Sequence, residues 1–404
     1  MDYQGILVYL EEHDNGRYER DGFDAFLKKE KFSFSLPCVH IAGSNGKGAT
    51  LFYLKNILQE GGYHVASFHS PYFYDVREMI QIDDEMISEE DFVRLFSQNE
   101  AQFKKFNLSA FEIETYIAYS YFLEKKPDLC LIECGMGGGG DATAIIHPLL
   151  SIITSISLEH TAYLGRTISE IAQSKAGIIT PNSMVLTGIL DPSAEKVIAD
   201  VAKENDSRYR IATTYHFPVY ENDCLTFSFE GREGLQIHTS AVYQLKNACL
   251  ALTAVDMLKP AFPISEEAIR NGLSKEPILH MEQHGNIFFD GAHNPEAIEN
   301  LAETLSTIYQ GRKIHALFAS FRDKNITRML PMLGTYCADI TLTTFPHKRA
   351  REEEDYFLYL EDYPFREDFK SALEELKTAY PDDMVLVTGS LAFAALVRKY
   401  VLEK

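Results

Sequence analysis

His40-Ile41-Ala42-Gly43-Ser44-Asn45-Gly46-Lys47-Gly48 is the stretch on which the fold turns. Residues 39–42 are apolar or β-branched enough for a buried strand. The residues beyond the loop carry Leu51, Leu54, Ile57 and Leu58 on one helical face, and Gly61-Gly62 closes that helix. A glycine-rich turn between strand and helix aims backbone N–H groups at whatever sits on the helix N-terminus. That end favours negative charge, and a lysine at position 47 reaches the terminal phosphates of a nucleotide. The turn departs from the general phosphate-loop pattern, because Ile41 holds the place of its first glycine and Gly48 that of its magnesium-binding hydroxyl. An ordinary strand-to-helix turn is the competing reading of this stretch taken alone.

Working outward, short β-branched and aromatic runs at 64–68, 129–133, 152–157 and 184–187 alternate with stretches of helical period, the pattern of a parallel sheet covered by helices. Ser70, Glu133 and His160 each follow or end one of these runs. They are therefore expected at the carboxyl edge of the sheet beside Lys47, as oxygen and nitrogen ligands for magnesium. Singly, each has a structural reading: a Ser-Pro turn, a buried strand end, a surface loop histidine. A second glycine run, 135–140 ending in Asp141, implies close approach of a ligand or a mobile loop, with a plain linker as the alternative. Further apolar runs at 287–289, 314–318, 340–343 and 384–387, followed by a helical stretch at 391–401, predict a second, smaller α/β unit, with a seam near 271–277. The charge cluster at 351–355 reads as a solvated loop.

A chain of 404 residues, 46% hydrophobic, is long enough for two or three cores. No run of about 18 apolar residues is present to span a bilayer, and residues 1–12 lack the basic start and cleavage site of a signal peptide, so the cytoplasm is expected. The six cysteines are scattered through apolar stretches and read as buried thiols. A net charge of -21 argues against binding nucleic acid or an anionic membrane, so an anionic ligand must meet a local cluster of donors. A dinucleotide oxidoreductase is disfavoured, since the loop lacks G-x-G-x-x-G.

Taken together, the loop at 40–48, Ser70-Pro71, Glu133 with the glycine run to Asp141-Ala142-Thr143, Ile153-Thr154-Ser155-Ile156 with His160, Lys175-Ala176-Gly177-Ile178, Asp290-Gly291-Ala292-His293-Asn294-Pro295 and Thr388-Gly389-Ser390-Leu391 resemble the folylpolyglutamate synthase and dihydrofolate synthase family of the Mur ligase superfamily. The motifs occur in the family's order over residues 20–400. The resemblance implies an α/β protein: a P-loop-type, parallel-sheet ATP-binding domain over 1–274, then a smaller Rossmann-like α/β domain over 275–404, with a cleft for two substrates.

It also implies roles. Ser44, Asn45, Gly46, Lys47 and Gly48 would cradle the ATP phosphates, with Asn247, Asp290 and the position of His280 also on ATP. Ser70, Glu133 and His160 would hold Mg2+, and Lys175 matches a lysine that the family carbamylates. His293 and Ser390 would lie near the incoming glutamate; Phe111, Glu112, Gly140, Asp141 and Ala142 would lie near the pterin. Lys47, Lys175, His293 and Ser390 would be the catalytic set. The partners implied are L-glutamate and a folate or dihydropteroate, in a monomer, with a carboxylate activated as an acyl phosphate.

The chain also departs from the family pattern. The family's Pro-Gly-Arg-x-Glu becomes Ile278-Leu279-His280-Met281-Glu282, and a neutral histidine does not replace a bidentate guanidinium. The Glu-Arg after the Ser-Pro becomes Glu78-Met79, with Arg77 beside it. The histidine preceding Asn-Ala is absent, Tyr243 and Gln244 standing in that region, and an asparagine becomes Ala144. A ligase with another carboxylate acceptor and a paralogue that binds nucleotide or folate without turnover are the alternatives these changes leave open.

Overall fold

Apolar runs and helical stretches assemble into two largely parallel sheets, each in its own unit. The computed structural model describes residues 1–13 and 20–404. One unit comprises Met1–Tyr215, Phe229–Gly231 and Lys246–Lys275; the other comprises His216–Ser228, Arg232–Leu245 and Glu276–Lys404.

In chain order the first unit begins with α1 (Tyr3–His13), α2 (Asp21–Glu30), β1 (Cys38–Ala42), α3 (Lys47–Glu60), β2 (Val65–Phe68), β3 (Ile80–Ile82), β4 (Glu85–Met86), α4 (Glu89–Phe106) and α5 (Ala110–Lys125). It continues with β5 (Leu129–Glu133), β6 (Leu150–Ile153), α6 (Ile168–Ala176), β7 (Met184–Thr187), α7 (Pro192–Glu204) and β8 (Arg208–Ile211). The sheet order is β4-β3-β2-β5-β1-β6-β7-β8, parallel from β2 to β8, with β3 and β4 as an antiparallel edge. The central strands are buried throughout, which is why they read as continuous apolar runs rather than alternating ones. An aromatic core of Phe23, Phe26, Phe92, Phe96 and Phe122 packs on Phe68, Cys130 and Ile132, while Ile171, Ala172 and Ile198 pack on Ala42, Ile153 and Val185.

The run at 152–157 is only partly strand. β6 stops at Ile153, and beyond it the hydroxyls of Thr154 and Ser155 bond the backbone of Asn45. α3 ends as expected, Gly62 at φ +86 donating to Gln59 O. All six cysteines are free thiols and all but Cys337 are buried.

The second unit contains β9 (His216–Glu221), β10 (Cys224–Phe229) and β11 (Arg232–Ile237), with β10 central and antiparallel to β9. These strands escape a sequence reading because β9 is almost wholly exposed, Phe217 to 83%. Their one signal is Asn222-Asp223, both at positive φ, the two-residue hairpin turn. The chain then returns to the first unit for all but the first two residues of α8 (Gln244–Leu258) and for α9 (Glu266–Leu273).

Next come β12 (His280–His284), β13 (Ile287–Asp290), α10 (Pro295–Thr307), β14 (Ile314–Phe318), α11 (Ile326–Gly334), β15 (Asp339–Thr343), β16 (Phe365–Arg366), α12 (Phe369–Ala379), β17 (Met384–Thr388) and α13 (Leu391–Leu402). Their sheet, β12-β13-β17-β14-β15-β16, is parallel except for β12. The cluster at 351–355 proves to be an ordered turn rather than only a solvated loop. Its acidic residues face solvent, yet Arg351 donates to Arg322 O at 2.8 Å and Lys324 O at 3.0 Å, and Tyr356 is buried beneath it.

Candidate active site

The phosphate-type loop is held open by its neighbours. Ser44 N–H donates to Ser155 O at 2.9 Å, Asn45 N–H to the Ser155 hydroxyl at 2.9 Å, and Ser157 N–H to the Ser44 hydroxyl at 2.9 Å. Gly46, at φ +84, caps α3, and a Cβ there would meet Asn247 Oδ1 at 2.4 Å, so Asn247 lies directly against the loop. Lys47, the first residue of α3, donates to Gly43 O at 3.1 Å and stands 3.9 Å from the Glu133 carboxylate. Gly48, where the hydroxyl residue is missing, faces that same carboxylate, 3.5 Å from the position of a Cβ.

Glu133 ends β5, buried, and burial pushes its pKa up to about 7 although Lys47 and the Ser70 backbone N–H pull it down. Ser70 is thus placed beside Glu133. His160 lines a small, partly open cleft together with Gly43, Lys47, residues 134–137, Glu159 and Lys175. The Lys175 side chain is 2% exposed and its Nζ lies 2.9 Å from Glu159 Oε1. Burial draws the Lys175 pKa down, with Glu159 opposing; Lys175 in turn helps hold Glu159 below the usual carboxylate range. Glu159 is a member of this cluster that the sequence reading missed. Its only signal was its place beside His160.

The glycine run is packed rather than loose. A Cβ on Gly138 would come within 2.4 Å of Ser174 O and 2.6 Å of Lys175 O, so the run fits against the end of α6 only without side chains. The Phe111 ring lies against Gly135. Asp141 is buried with its carboxylate bonded by Met136 N–H, Thr143 N–H and the Thr143 hydroxyl, tying the run back on itself, while Ala142 joins the aromatic core. Glu112 closes a capping box on α5 with Ser109. Gly140 is exposed. Of these five positions, Asp141, Ala142 and Glu112 therefore present backbone and scaffold rather than free side chains. Arg77 is occupied by Asp75 at 2.8 Å and lies over the Tyr3 ring.

In the second unit β13 and β17 are parallel neighbours, so the loops leaving them meet, Gly389 N–H donating to Ala292 O at 3.1 Å. Asp290, 1% exposed, ends β13 with its pKa pushed up to about 6 by burial. His293 Nδ1–H donates to Gly291 O, 2.9 Å away, and Asn294 caps α10 by accepting from Ala297 N–H, with Pro295 at the first helical position. Ser390 is 1% exposed and precedes α13; its hydroxyl is buried and has no hydrogen-bond partner among the described residues. His280, on β12, is drawn by desolvation down to about 4 and is neutral at pH 7. Its Nδ1 lies 3.3 Å from the hydroxyl of Tyr243, which donates to Asp290 at 2.5 Å. Two positions that depart separately from the family pattern are therefore in contact.

The Mur ligase middle domain family matches residues 41–255 and the Mur ligase glutamate ligase domain matches 278–391. The dihydrofolate synthase/folylpolyglutamate synthase of Bacillus subtilis is 33% identical over 387 residues, covering 89% of each chain. A folylpolyglutamate synthase structure from Thermotoga maritima aligns with TM-score 0.83 at 28% identity, over 99% of this chain and 96% of that one. An FPGS in complex with AMPPCP and folate aligns with TM-score 0.85 at 25% identity, over 100% of both. With the motifs in order along nearly its whole length, the chain belongs to the folylpolyglutamate synthase and dihydrofolate synthase family of Mur ligases.

Proposed function

We propose that this protein joins L-glutamate to a carboxylate of a folate, driven by ATP, through an acyl phosphate. The reading is supported most by the gathering of Lys47, His160, Lys175 and Glu159 around one cleft at the N-terminus of α3, in a chain that matches named synthases from end to end. ATP lies with its phosphates on the N–H groups of residues 46–48, where the helix end and Lys47 stabilise negative charge, while the N–H groups of Ser44 and Asn45 are spent on Ser155 and hold the loop in place. A substrate carboxylate oxygen attacks the γ-phosphorus, forming a P–O bond as the bond to ADP breaks. The glutamate amine then attacks the acyl carbon, phosphate leaves with the C–O electron pair, and the amine gives up a proton. Asn247 steadies the loop through Gly46, Asp290 meets the nucleotide, and His293 with the unpartnered Ser390 hydroxyl receives glutamate.

Glu133, Ser70 and His160 fit magnesium. Glu133 is a carboxylate whose proton affinity is raised by burial, so a cation beside it would favour its charged form, and the set supplies oxygen and nitrogen donors. Among the described residues no group of three or more acidic, histidine or cysteine side chains forms a cage, as suits an ion that keeps waters and binds substrate phosphate. Magnesium bound there neutralises charge on the transferring phosphoryl group. Lys175 carbamylation is part of the proposal: its buried amine is biased toward the neutral form that adds carbon dioxide, while Glu159 opposes this. Intact-mass measurement of the native protein reads the carbamate directly.

The deciding experiment is phosphate release with ATP, magnesium and L-glutamate, comparing tetrahydrofolate, dihydropteroate and no acceptor. Acceptor-dependent release, lost in Lys47→Ala, is expected and identifies the acceptor. AMPPCP binding with no release for either acceptor would overturn the folate ligase.

A further inference from the structure

The departures at 243 and 280 form one device. β12 and β13 pair His280 with Asp290 and Glu282 with Phe289, so Met281 is a bulge residue, at φ +54. Bulges re-aim groups at the ends of sheets. The Asp290 carboxylate, on the strand opposite, accepts from Ala292 N–H at 3.0 Å and from the Tyr243 hydroxyl at 2.5 Å. A carboxylate offers about four lone-pair directions, so these two donors, one on each oxygen, fix its plane and leave directions open for a ligand. Since the Tyr243 proton is committed to Asp290, its oxygen accepts from His280 Nδ1–H, and the chain runs His280 to Tyr243 to Asp290. That tautomer leaves His280 Nε2 an acceptor. The unfilled valences of the cluster, on the Asp290 carboxylate and His280 Nε2, are thus acceptors, suited to the hydroxyl or amino donors of a nucleoside and not to phosphate oxygens.

We propose that Tyr243 is a positioning residue for the nucleotide: its hydroxyl, braced by His280, holds the Asp290 carboxylate toward the nucleoside donors of ATP. This rests on the reading of Asp290 as a nucleotide contact. The charged groups nearby are Glu282, which is paired with Arg398 of α13 at 2.7 Å and with His284 at 2.7 Å.

Steady-state kinetics of Asp290→Asn, Tyr243→Phe, His280→Gln and His280→Leu, varying ATP and pH, test it. Tyr243→Phe should raise KM for ATP about tenfold with kcat retained, the scale of one hydrogen bond to a charged group. The Tyr243 bond lowers the Asp290 pKa, so its loss should also move the acid limb of kcat/KM for ATP to higher pH. His280→Gln, which keeps a donor for Tyr243, should leave the acid limb at its wild-type position whatever it does to KM, whereas His280→Leu should move the limb toward that of Tyr243→Phe; the histidine variants decide the matter should the phenylalanine variant not fold. Wild-type KM and an unmoved limb in Tyr243→Phe, or equal behaviour of the two histidine variants, would overturn the role of Tyr243. An unchanged KM for ATP in Asp290→Asn would instead sink the reading of Asp290 itself.

Discussion

Glu133 is under electrostatic tension beside the phosphate-type loop: a carboxylate at a buried strand end, with Lys47 at 3.9 Å. Its folded pKa, about 7 against 4.5, means that the folded protein holds the proton more tightly. Its contribution to stability is therefore greatest below pH 4.5 and falls as pH rises to 7. Glu133→Gln removes the ionisation, so in metal- and nucleotide-free protein the stability of the variant relative to wild type should increase over that window, by about 3 kcal/mol at most. Urea titrations at pH 4.5 and 7.5 check this, and a pH-independent difference would contradict it. Ser390 gives a complementary case. Its hydroxyl is buried without a partner, so Ser390→Ala should leave ligand-free stability unchanged or raise it slightly, because an unsatisfied polar group is removed. The same change should raise KM for L-glutamate. A large loss of stability on melting would show that the hydroxyl is structural.

At the scale of elements, the clearest dependence is that of the glycine run on α6. Gly138→Ala forces a methyl group against the carbonyl oxygens of Ser174 and Lys175, which are backbone atoms and yield only if the helix end moves. A loss of roughly 1–3 kcal/mol is expected, of the size found when a packed site is overfilled. Since Lys175 moves with its backbone, activity should fall further than stability explains, measurable as reduced kcat in protein that still melts cooperatively. In the second unit Asn294 does two things, capping α10 and setting the turn that carries His293. Asn294→Ala should cost about 1 kcal/mol through the cap, read by thermal unfolding.

At the scale of the molecule, the net charge of -21 sets a repulsive far field for polyanions, against which Lys47 and the helix end act only at short range. Salt screens the far field first, since the Debye length is about 10 Å at 0.1 M. Raising potassium chloride from low to moderate concentration should therefore increase kcat/KM for ATP modestly; a steep fall would mean that the cleft's own positive field dominates at long range. Among the described residues no helix is long and apolar enough to cross a membrane.

The sequence by itself determined the two α/β units' principal strands, because strands buried on both faces must be apolar throughout: 129–133 and 314–318 match β5 and β14 residue for residue. It also determined the family, through motifs whose order is independent of geometry. Only the tertiary structure decided how those residues are used. It turned 154–157 from strand into the support of the loop, because hydroxyls there find Asn45 across a long separation in sequence. It made Asp141 an internal tie, brought Glu159 onto Lys175, and joined Tyr243, His280 and Asp290. Local pattern reports burial and helical or strand period, but which polar groups meet depends on contacts between residues distant in the chain. For the same reason β9–β11, exposed and without a long apolar run, became visible only once the strands were paired.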